Sequence, residues 1–352
     1  MAATEPAAAP LAQRYRVLVT GGSGYLGQVL VRHLAPSHNT QRLTSTRLHV
    51  QVQNLVRGGH AVHCTYTSGA EDWQVPGATT HRVDFATKAG LDECLSACGS
   101  LDAVVNCAAI SQPVACAKTP ELARAINVPT ALLAALRGTA PNALFVHLST
   151  DHVYDGTRPW WTEDDASSCV AVNAYGASKR EAEAAVTAQW RHHAILRSSA
   201  IIGPVQMPYK PVSRSVFTQW LDSSLAAGTT NLFEDEFRSP VYIHDICAAV
   251  DALLRTCVPE PGQGLEPGGI EHRVFNLGGP ERLSRADMGD ALVAVRGYPR
   301  DRVVRVPCSS VVRDPPSPQD ISMDVQRVQR VLGIRLTPFG EALRDIFGPP
   351  AC

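Results

Sequence analysis

A tyrosine and a lysine four residues apart, Tyr175 and Lys179, are the first side chains whose spacing suits shared chemistry. On a helix this spacing places both side chains on one face. An ammonium group near a phenol favours the phenolate and lowers the phenol pKa, which suits the phenol to proton transfer. Because an ordinary surface pair has the same spacing, the motif alone predicts either a proton-transfer pair or a structural pair.

A segment with two hydroxyls and a carboxylate, Ser149-Thr150-Asp151, follows an apolar stretch that is typical of a buried parallel strand. Ligands of open α/β sheets bind at the carboxyl ends of the strands. A hydroxyl at such a position can donate a hydrogen bond to a substrate carbonyl oxygen. The segment therefore predicts a ligand site and strengthens the chemical interpretation of Tyr175 and Lys179.

A glycine-rich turn near the start of the chain carries Gly21, Gly24 and Gly27, three residues apart. It follows a short run rich in β-branched residues and precedes helix-forming residues. Glycines let a ligand approach the backbone closely, and the N-terminus of the following helix attracts anions. Strand, turn and helix together predict the pyrophosphate site of a dinucleotide-binding unit.

The elements that must position these residues alternate between strand and helix. Strands are predicted at 16–20, 61–65, 81–85, 102–109, 143–148 and 193–202, and helices at 25–35, 89–97, 120–137, 174–189 and 325–332. Such alternation predicts an α/β fold, a Rossmann-type doubly wound parallel sheet covered by helices on both faces. Past residue 203 the pattern loosens, which predicts a smaller C-terminal substrate lobe.

The chain divides into three expected parts. We expect a disordered tail over 1–13, an NAD(P)-binding Rossmann domain over 14–205, and a mainly substrate-binding lobe over 206–352. Segments around 240–256 and 272–280 are expected to return to the Rossmann domain. Connections between helix and strand usually take about 2–6 residues. We therefore interpret 36–57 as a probable inserted loop.

Composition narrows the classes of partner. A 352-residue chain with 45% hydrophobic residues, 18% charged residues and a formal net charge of −1 is typical of a globular protein without a polyanionic partner. No apolar run reaches the roughly 20 residues of a membrane helix, and the N-terminus has no secretory pattern. We expect a cytoplasmic protein that binds neither nucleic acid nor membrane. Whether it forms a homodimer stays open.

The ten cysteines are scattered, and only Cys94 and Cys98 are close, at the spacing of one helical turn. No CxxC pair and no Cys/His metal pattern appears. The sequence therefore predicts no metal site and reduced thiols that mostly serve as small core residues.

Taken together, the motifs resemble the extended branch of the short-chain dehydrogenase/reductase superfamily. The turn at 20–27 is similar to its TGxxGxxG, and 106–109 to its NxAA-type strand end. Within that branch, LSTDHVYDG at 148–156 resembles the LSTDYVFDG of the dTDP-4-dehydrorhamnose reductase family. The segments 237–242 and 322–334 resemble that family's sugar-nucleotide loop and C-terminal stretch.

The resemblance implies a reductase of dTDP-rhamnose biosynthesis that transfers hydride from NADPH to a keto carbon of a nucleotide-linked 6-deoxysugar. Tyr175 would protonate the developing alkoxide, Thr150 would hold the carbonyl, and Lys179 would bind the nicotinamide ribose and tune Tyr175. The implied cofactor-binding residues are Thr20, Gly21, Ser23, Gly24, Tyr25, Leu26, Gly27, Asp84, Phe85, Asn106, Cys107, Ala108, Ala109, Asn127, Tyr175, Lys179 and Ser198. The implied substrate-binding residues are Ser111, Thr150, Asp151 and Arg238.

Two departures leave alternatives open. The family's acidic VDKAE stretch is replaced by an uncharged run ending in Lys118, which puts the identity of the sugar in doubt. The predicted second strand ends without an acidic residue for a ribose 2′-OH, so NADP(H) is favoured while NAD(H) stays open. The alternatives are an NAD-dependent sugar-nucleotide epimerase or dehydratase, and a non-catalytic NADP-binding regulatory subunit like the methionine adenosyltransferase β subunit.

Overall fold

The computed structural model describes residues 15–35, 59–67, 73–168, 170–209, 216–258 and 272–348. The expected tail at 1–13 and the expected insertion at 36–57 lie outside the described residues.

Among the residues that the structure describes, seven parallel strands form one sheet, and six short strands pair off into three small sheets. The strands are β1 Arg16–Thr20, β2 Ala61–Tyr66, β3 Ala78–Arg82, β4 Ala103–Asn106, β5 Leu144–Thr150, β6 His193–Ser198, β7 Ile201–Ile202, β8 Thr230–Phe233, β9 Phe237–Arg238, β10 Val241–Tyr242, β11 Val274–Leu277, β12 Leu283–Ser284 and β13 Val303–Val306. The large sheet has the order β11-β6-β5-β4-β1-β2-β3. This arrangement confirms the α/β doubly wound fold class.

Helices follow most strands and cover both faces of the sheet. They are α1 Tyr25–Leu34, α2 Leu91–Cys98, α3 Pro113–Lys118, α4 Pro120–Asn127, α5 Thr130–Thr139, α6 Ala174–Gln189, α7 Phe217–Ala227, α8 Ile243–Cys257, α9 Arg285–Arg296, α10 Gln326–Leu332 and α11 Phe339–Phe347. In the part of the chain that the structure describes, none of these helices combines the length and the apolar character needed to cross a bilayer.

Alternating residues of the strands build two cores, one on each face. Val17 and Val19 of β1 join the core that also takes in α1 and α8. Leu18, between them, joins the other core with α2 and α5. Because successive side chains of a strand point to opposite faces, a strand buried on both sides must be apolar throughout. That requirement explains the uninterrupted apolar runs of the sequence.

The predicted helix at 120–137 is two helices. It breaks at Val128 and Pro129, where α4 ends and α5 begins, and Val128 has an extended backbone with ψ of 108°. A proline ring clashes with helical backbone at the preceding residue and has no amide hydrogen to donate. The prediction of one continuous helix was therefore wrong at Pro129.

Another prediction differs from the structure at β3. The strand occupies Ala78–Arg82, three residues earlier than the predicted 81–85. Its side chains are half-exposed or exposed, as befits the edge of the sheet, so the alternation that marks a buried strand is weak there. Asp84 and Phe85 consequently lie in the loop that follows β3.

The later part of the chain pairs repeatedly with the earlier part. Strand β11 adds to the edge of β6, with Val274 opposite Ile195, and β10 pairs with β7. The small sheets β8-β13 and β9-β12 form within the region after residue 216. The domain limits given by the sequence stay a prediction.

A capping box begins α9, and it generates a test of local stability. The Ser284 hydroxyl accepts from the Asp287 backbone nitrogen at 3.0 Å, and the Asp287 carboxylate accepts from the Ser284 nitrogen at 3.0 Å. We expect Ser284→Ala to lower the free energy of unfolding by about 1 kcal/mol. Urea denaturation measures it, with the exposed helical Ser223→Ala as the control. Equal effects of both substitutions would contradict the capping role.

Candidate functional site

A deep cleft opens at the carboxyl ends of the central strands, where β1 lies between β4 and β2. Its volume is about 1040 Å³. In a doubly wound sheet, the chain leaves neighbouring strands in opposite directions at this switch point, so a crevice forms there. The glycine turn after β1, the end of β5 and the first turns of α6 all face this cleft.

Two positions of the glycine turn lie so close to other backbone atoms that a side chain would not fit there. Gly21 has a φ of +64°, and a Cβ built there would come within 2.9 Å of the backbone of Ala108. A Cβ at Gly27 would lie 2.2 Å from the Gly21 carbonyl oxygen. Glycine at both positions allows α1 to begin directly against the end of β1. The N-terminus of α1 therefore faces the cleft with its amide groups accessible to an anion.

Most of the site residues expected from sequence line this cleft, and six do not. Those that line it are Gly21, Ser23, Gly24, Tyr25, Leu26, Gly27, Cys107, Ala109, Ser111, Thr150, Asp151, Tyr175, Lys179, Ser198 and Arg238. Among the described residues, those outside the lining are Thr20, Asp84, Phe85, Asn106, Ala108 and Asn127. Their assigned roles stay predictions, and their surroundings are given below.

Helix α6 presents Tyr175 and Lys179 on its buried face. Asn173 caps the helix by accepting a hydrogen bond from the Gly176 nitrogen at 3.0 Å, which fixes where the helix starts. The ring of His152 meets the Tyr175 ring edge-on at 5.5 Å between centroids. Tyr175 and Lys179 both line the cleft, and their roles in proton transfer stay a prediction.

Lys179 is fully buried at the base of the cleft, and a row of polar side chains leads away from it. Its Nζ lies 3.0 Å from Nε2 of His147, and Nδ1 of His147 lies 3.0 Å from the amide nitrogen of Asn106. The Thr20 hydroxyl donates to the Asn106 oxygen at 2.6 Å and accepts from the Ala108 nitrogen at 3.2 Å. Thr20 and Asn106, expected to touch the cofactor, belong to this buried row.

Two arrangements of protons satisfy these contacts, and His147 is neutral in both. With the Asn106 nitrogen donating to Nδ1, Nε2 of His147 carries the ring proton and donates to a neutral Lys179 amine. With the Asn106 amide turned over, Nδ1 donates to the Asn106 oxygen and Nε2 accepts from the Lys179 ammonium. Burial lowers the pKa of Lys179 to about 8, against the opposing effect of Glu183, which raises it. Burial, then Lys179, lowers the pKa of His147 well below its usual value. The row therefore keeps His147 neutral and makes the Lys179 proton easy to lose.

Asn127, expected among the cofactor-binding residues, is buried and hydrogen-bonds the loop after β4. Its side chain accepts from the Ile110 nitrogen at 2.7 Å and donates to the Ile110 oxygen at 3.0 Å. It also donates to the Ser178 hydroxyl at 2.9 Å. Asn127 thereby connects the loop after β4 to Ser178 of α6, the residue that precedes Lys179.

Hydrogen bonds of Asp151 hold the end of β5 in place. Thr150 donates to the Asp151 carboxylate at 3.1 Å and accepts from the His152 nitrogen at 3.2 Å. The same carboxylate accepts from the Ser199 hydroxyl at 2.7 Å. Asp151 is buried, so its first effect is to fix the Thr150 rotamer and the turn after β5. Both side chains nonetheless reach the cleft surface.

Arg238, expected to bind the substrate, donates the hydrogen bonds of its guanidinium to other groups of the protein. The guanidinium donates to the backbone oxygens of Phe237, Gln319 and Pro318 and to the Ser317 hydroxyl, at 2.6–3.3 Å. It also pairs with Glu236 at 3.3 Å, and burial lowers its pKa to about 10. Arg238 lies at the cleft wall and ties the segment before β9 to the segment at 317–319.

Several residues that line the cleft belong to none of the motifs that indicate a site in the sequence. Val216, Phe217 and Trp220 of α7 and Arg285 of α9 face the cleft. Arg285 pairs with Glu236 at 3.1 Å, its side chain is 21% exposed, and its guanidinium lies 5.0 Å over the Phe217 ring. The capping-box spacing of Ser284 and Asp287 predicts a helix start here, but it gives no indication that the helix faces a ligand.

The far end of the cleft is formed by the ends of β2 and β3. The Thr65 hydroxyl accepts from the Gly21 nitrogen at 3.0 Å, and Thr67 lines the cleft and donates to the Val83 oxygen at 3.1 Å. The Asp84 carboxylate accepts from the Ala86 nitrogen at 2.9 Å and so shapes its own loop. Within the described residues, no acidic side chain joins Thr65 and Thr67 at the end of β2.

Comparison with known proteins identifies the family of this architecture. The family model described as the RmlD substrate binding domain matches residues 15–349. The chain belongs to the RmlD substrate binding domain family. One relative, the probable low-salt glycan biosynthesis reductase Agl14 of Haloferax volcanii, is 28% identical over 327 residues, which covers 90% of this chain and 91% of the relative.

Two further matches extend the comparison. The methionine adenosyltransferase 2 subunit beta of Mus musculus is 25% identical over 248 residues, 70% of each chain. A crystal structure of dTDP-4-dehydrorhamnose reductase from Bacillus anthracis in complex with NADP superposes with a TM-score of 0.69 at 17% identity, covering 95% of this chain and 99% of that one. The RmlD fold extends over nearly the whole chain.

The buried His147 generates a test of stability against pH. The unfolded chain binds a proton at an ordinary histidine pKa of about 6.5, whereas folded His147 does not. The contribution of His147 to the free energy of unfolding is therefore fully present above about pH 6.5 and is lost as the pH falls below that value. Between pH 7.5 and 5.5 we expect wild type to lose about 1.4 kcal/mol more unfolding free energy than His147→Gln. Urea titrations at both pH values measure it, and equal losses would contradict a neutral buried His147.

Proposed function

We propose that this RmlD-family chain is an NADP(H)-dependent reductase that acts on the 4-keto group of a nucleotide-diphosphate 6-deoxysugar. The observation that supports it is the meeting of Tyr175, Lys179 and Thr150 in one cleft whose other end is the glycine turn. Family membership and the similarity to a probable glycan biosynthesis reductase support the same reaction class.

The cleft fits a dinucleotide. At Gly21 and Gly27 a Cβ would meet the protein's own backbone, so glycine there lets α1 begin directly after β1 with its first amide groups facing the cleft, where a pyrophosphate would bind. Ser23, Gly24, Tyr25 and Leu26 continue the lining, and Lys179 and Tyr175 lie further along it. When bound, the nicotinamide cofactor supplies the hydride. The protein's part is to seat it, to orient the sugar and to provide the proton.

Each residue of the central group has a distinct part in the proposed reaction. Tyr175 donates its phenolic proton to the carbonyl oxygen as that oxygen gains electron density. To orient the same oxygen, the Thr150 hydroxyl would turn its proton from the Asp151 carboxylate to the substrate, and Asp151 would keep the Ser199 hydroxyl as its donor. Lys179 helps the phenol to lose its proton whenever its own amine is protonated, and a cofactor ribose hydroxyl would give that amine a further partner.

The preference for NADP(H) over NAD(H) is argued from the end of β2. Dinucleotide-binding sites that favour NAD usually place a carboxylate there to bind the ribose 2′-OH. Here the described strand end carries the hydroxyls of Thr65 and Thr67, which do not repel a 2′-phosphate. The NADP in the similar Bacillus anthracis reductase supports the same preference.

A second candidate function is that of a cofactor-binding regulatory subunit. The similarity to methionine adenosyltransferase 2 subunit beta favours it, because that protein's name describes a subunit. In that role the cleft would hold a dinucleotide without turnover, and Tyr175 would serve only to bind it. The two candidates differ in whether loss of the phenolic proton abolishes a measurable reaction.

Reduction of a dTDP-4-keto-6-deoxysugar by NADPH distinguishes the two candidates. We expect turnover in wild type and a loss of about 100- to 10,000-fold in kcat for Tyr175→Phe, because the proton donor is removed while the ring remains. Disappearance of reduced-cofactor absorbance measures it. The matched control is Tyr298→Phe, whose hydroxyl bonds Asp222 in the C-terminal part of the chain.

The outcomes separate cleanly. Wild-type turnover that Tyr175→Phe abolishes and Tyr298→Phe retains supports the reductase. NADP binding without turnover, together with co-purification of a partner enzyme, would replace it with the regulatory function. Exchange of a sugar stereocentre without net oxidation of cofactor would replace it with an epimerase.

The glycine turn gives a prediction for cofactor affinity. Gly21→Ala adds a Cβ against the Ala108 backbone at a positive φ, which costs about 1–2 kcal/mol and displaces the turn. We expect NADPH to bind about tenfold more weakly, as measured by fluorescence titration. Gly138→Ala is the control, because nothing lies within 4 Å of a Cβ at that helical position. Unchanged affinity in Gly21→Ala would place the pyrophosphate elsewhere.

A further inference from the structure

Three side chains with metal-binding atoms meet on the face of the sheet that α2 covers, away from the cleft. They are His63 of β2, His81 of β3 and Cys98, the last residue of α2. Their ligand atoms all lie within 4.8 Å of one another, and Nδ1 of His63 is 3.0 Å from Nε2 of His81. Within the described residues none of the three lines the cleft, so they lie outside the proposed reaction.

The strand register brings the histidines together. Thr65 lies opposite His81, and His63 precedes Thr65 by two residues. Residues two apart point to the same face, so His63 and His81 are diagonal neighbours on that face. Their rings lie nearly parallel, with centroids 5.3 Å apart and an angle of 21° between planes.

The helix supplies the thiol. Cys98 ends α2, and Gly99 turns the chain away with a φ of +64°. The guanidinium of Arg16 donates to the Cys98 carbonyl oxygen at 3.3 Å, which anchors this end of the helix to β1. The Cys98 side chain is buried while both imidazoles are half-buried, so the three atoms form a pocket with an open side towards solvent.

The distances suit a metal ion. Tetrahedral Zn²⁺ with bonds of about 2.0–2.1 Å to nitrogen places two nitrogen ligands about 3.3 Å apart. The 3.0 Å separation of the two ring nitrogens needs only small side-chain rotations to reach that value. Two imidazoles and a thiolate are ligands that Zn²⁺ and Co²⁺ prefer and that Mg²⁺ and Ca²⁺ do not.

The charges around the three atoms also bear on metal binding. Metal binding requires His63 with its ring proton on Nε2 and His81 with its ring proton on Nδ1, so that the two nitrogens that face each other both offer lone pairs. A hydrogen bond with Cys94, and burial, raise the pKa of the Cys98 thiol, while Arg16 lowers it. A bound dication would displace the thiol proton, and Arg16 would favour the resulting thiolate while repelling the ion.

We propose that His63, His81 and Cys98 bind one Zn²⁺-class ion, with water in the fourth position. The ion joins the two outermost strands of one sheet edge to the end of α2. It therefore acts as a structural crosslink rather than in catalysis. No spacing pattern in the sequence indicates the site, because its ligands are separated by 18 and 17 residues and come together only through the strand register.

Metal titration of the full-length protein tests the proposal. Protein stripped with a chelator is titrated with Co²⁺, and visible d–d bands and thiolate-to-cobalt charge transfer are recorded. Zn²⁺ affinity is then measured by competition with a chromophoric chelator. We expect one equivalent of either ion per chain and a rise in melting temperature on adding Zn²⁺.

Variants assign the ligands. His81→Gln and Cys98→Ala should each weaken Zn²⁺ binding at least about tenfold and abolish the thermal shift, and Cys98→Ala should also remove the charge-transfer band. Controls are Cys257→Ala and His192→Gln, which alter a partly buried thiol and a partly buried imidazole outside the group.

His81 is half-buried, so metal-free His81→Gln should have a melting temperature close to that of the metal-free wild type. This variant therefore keeps the proposal testable if Cys98→Ala fails to fold. Absence of saturable one-to-one binding, or wild-type affinity in His81→Gln, would overturn the proposal. Loss of the Co²⁺ bands in either control would also overturn it, because the ligands would then lie elsewhere.

Discussion

The site depends on a row of buried polar side chains that runs across three neighbouring strands. Thr20 of β1 lies opposite Asn106 of β4, and Asn106 lies opposite His147 of β5. Their hydrogen bonds continue to Lys179 on α6. Each of these groups would cost about 1–3 kcal/mol if it were buried without its partner, so the row allows only one register of the three strands. The same row therefore fixes the sheet and places the lysine.

Local patterns in the sequence gave the fold class and the start of the site. The glycine spacing and the Tyr175–Lys179 spacing each lie within one short segment, and the structure places both at the cleft. The helix that carries the pair has the bounds the pattern predicts, 174–189. The helix break at Pro129 is equally local, because a proline disfavours helical backbone at the preceding residue, but the periodicity on either side predicts a single helix.

Other contacts of the site could not be predicted because they join distant segments. A histidine within an apolar strand has no spacing that marks it, and the role of His147 depends on which strand lies beside β5 and in which register. Arg238 resembled a substrate-binding arginine by its position in a loop. Its carbonyl partners Pro318 and Gln319 lie about eighty residues later, and no pattern in either segment indicates the contact.

The strand β11 has a consequence for synthesis of the chain. It completes the sheet by pairing Val274 with Ile195 of β6. A nascent chain exposes the unpaired edge of β6 until about eighty further residues have left the ribosome, and an exposed apolar strand edge invites pairing with other chains. Chains halted before residue 274 would retain the whole glycine turn and the Tyr175–Lys179 helix but would have an open sheet edge. The edge of β6 therefore stays open long after the segments of both cleft motifs have been synthesised.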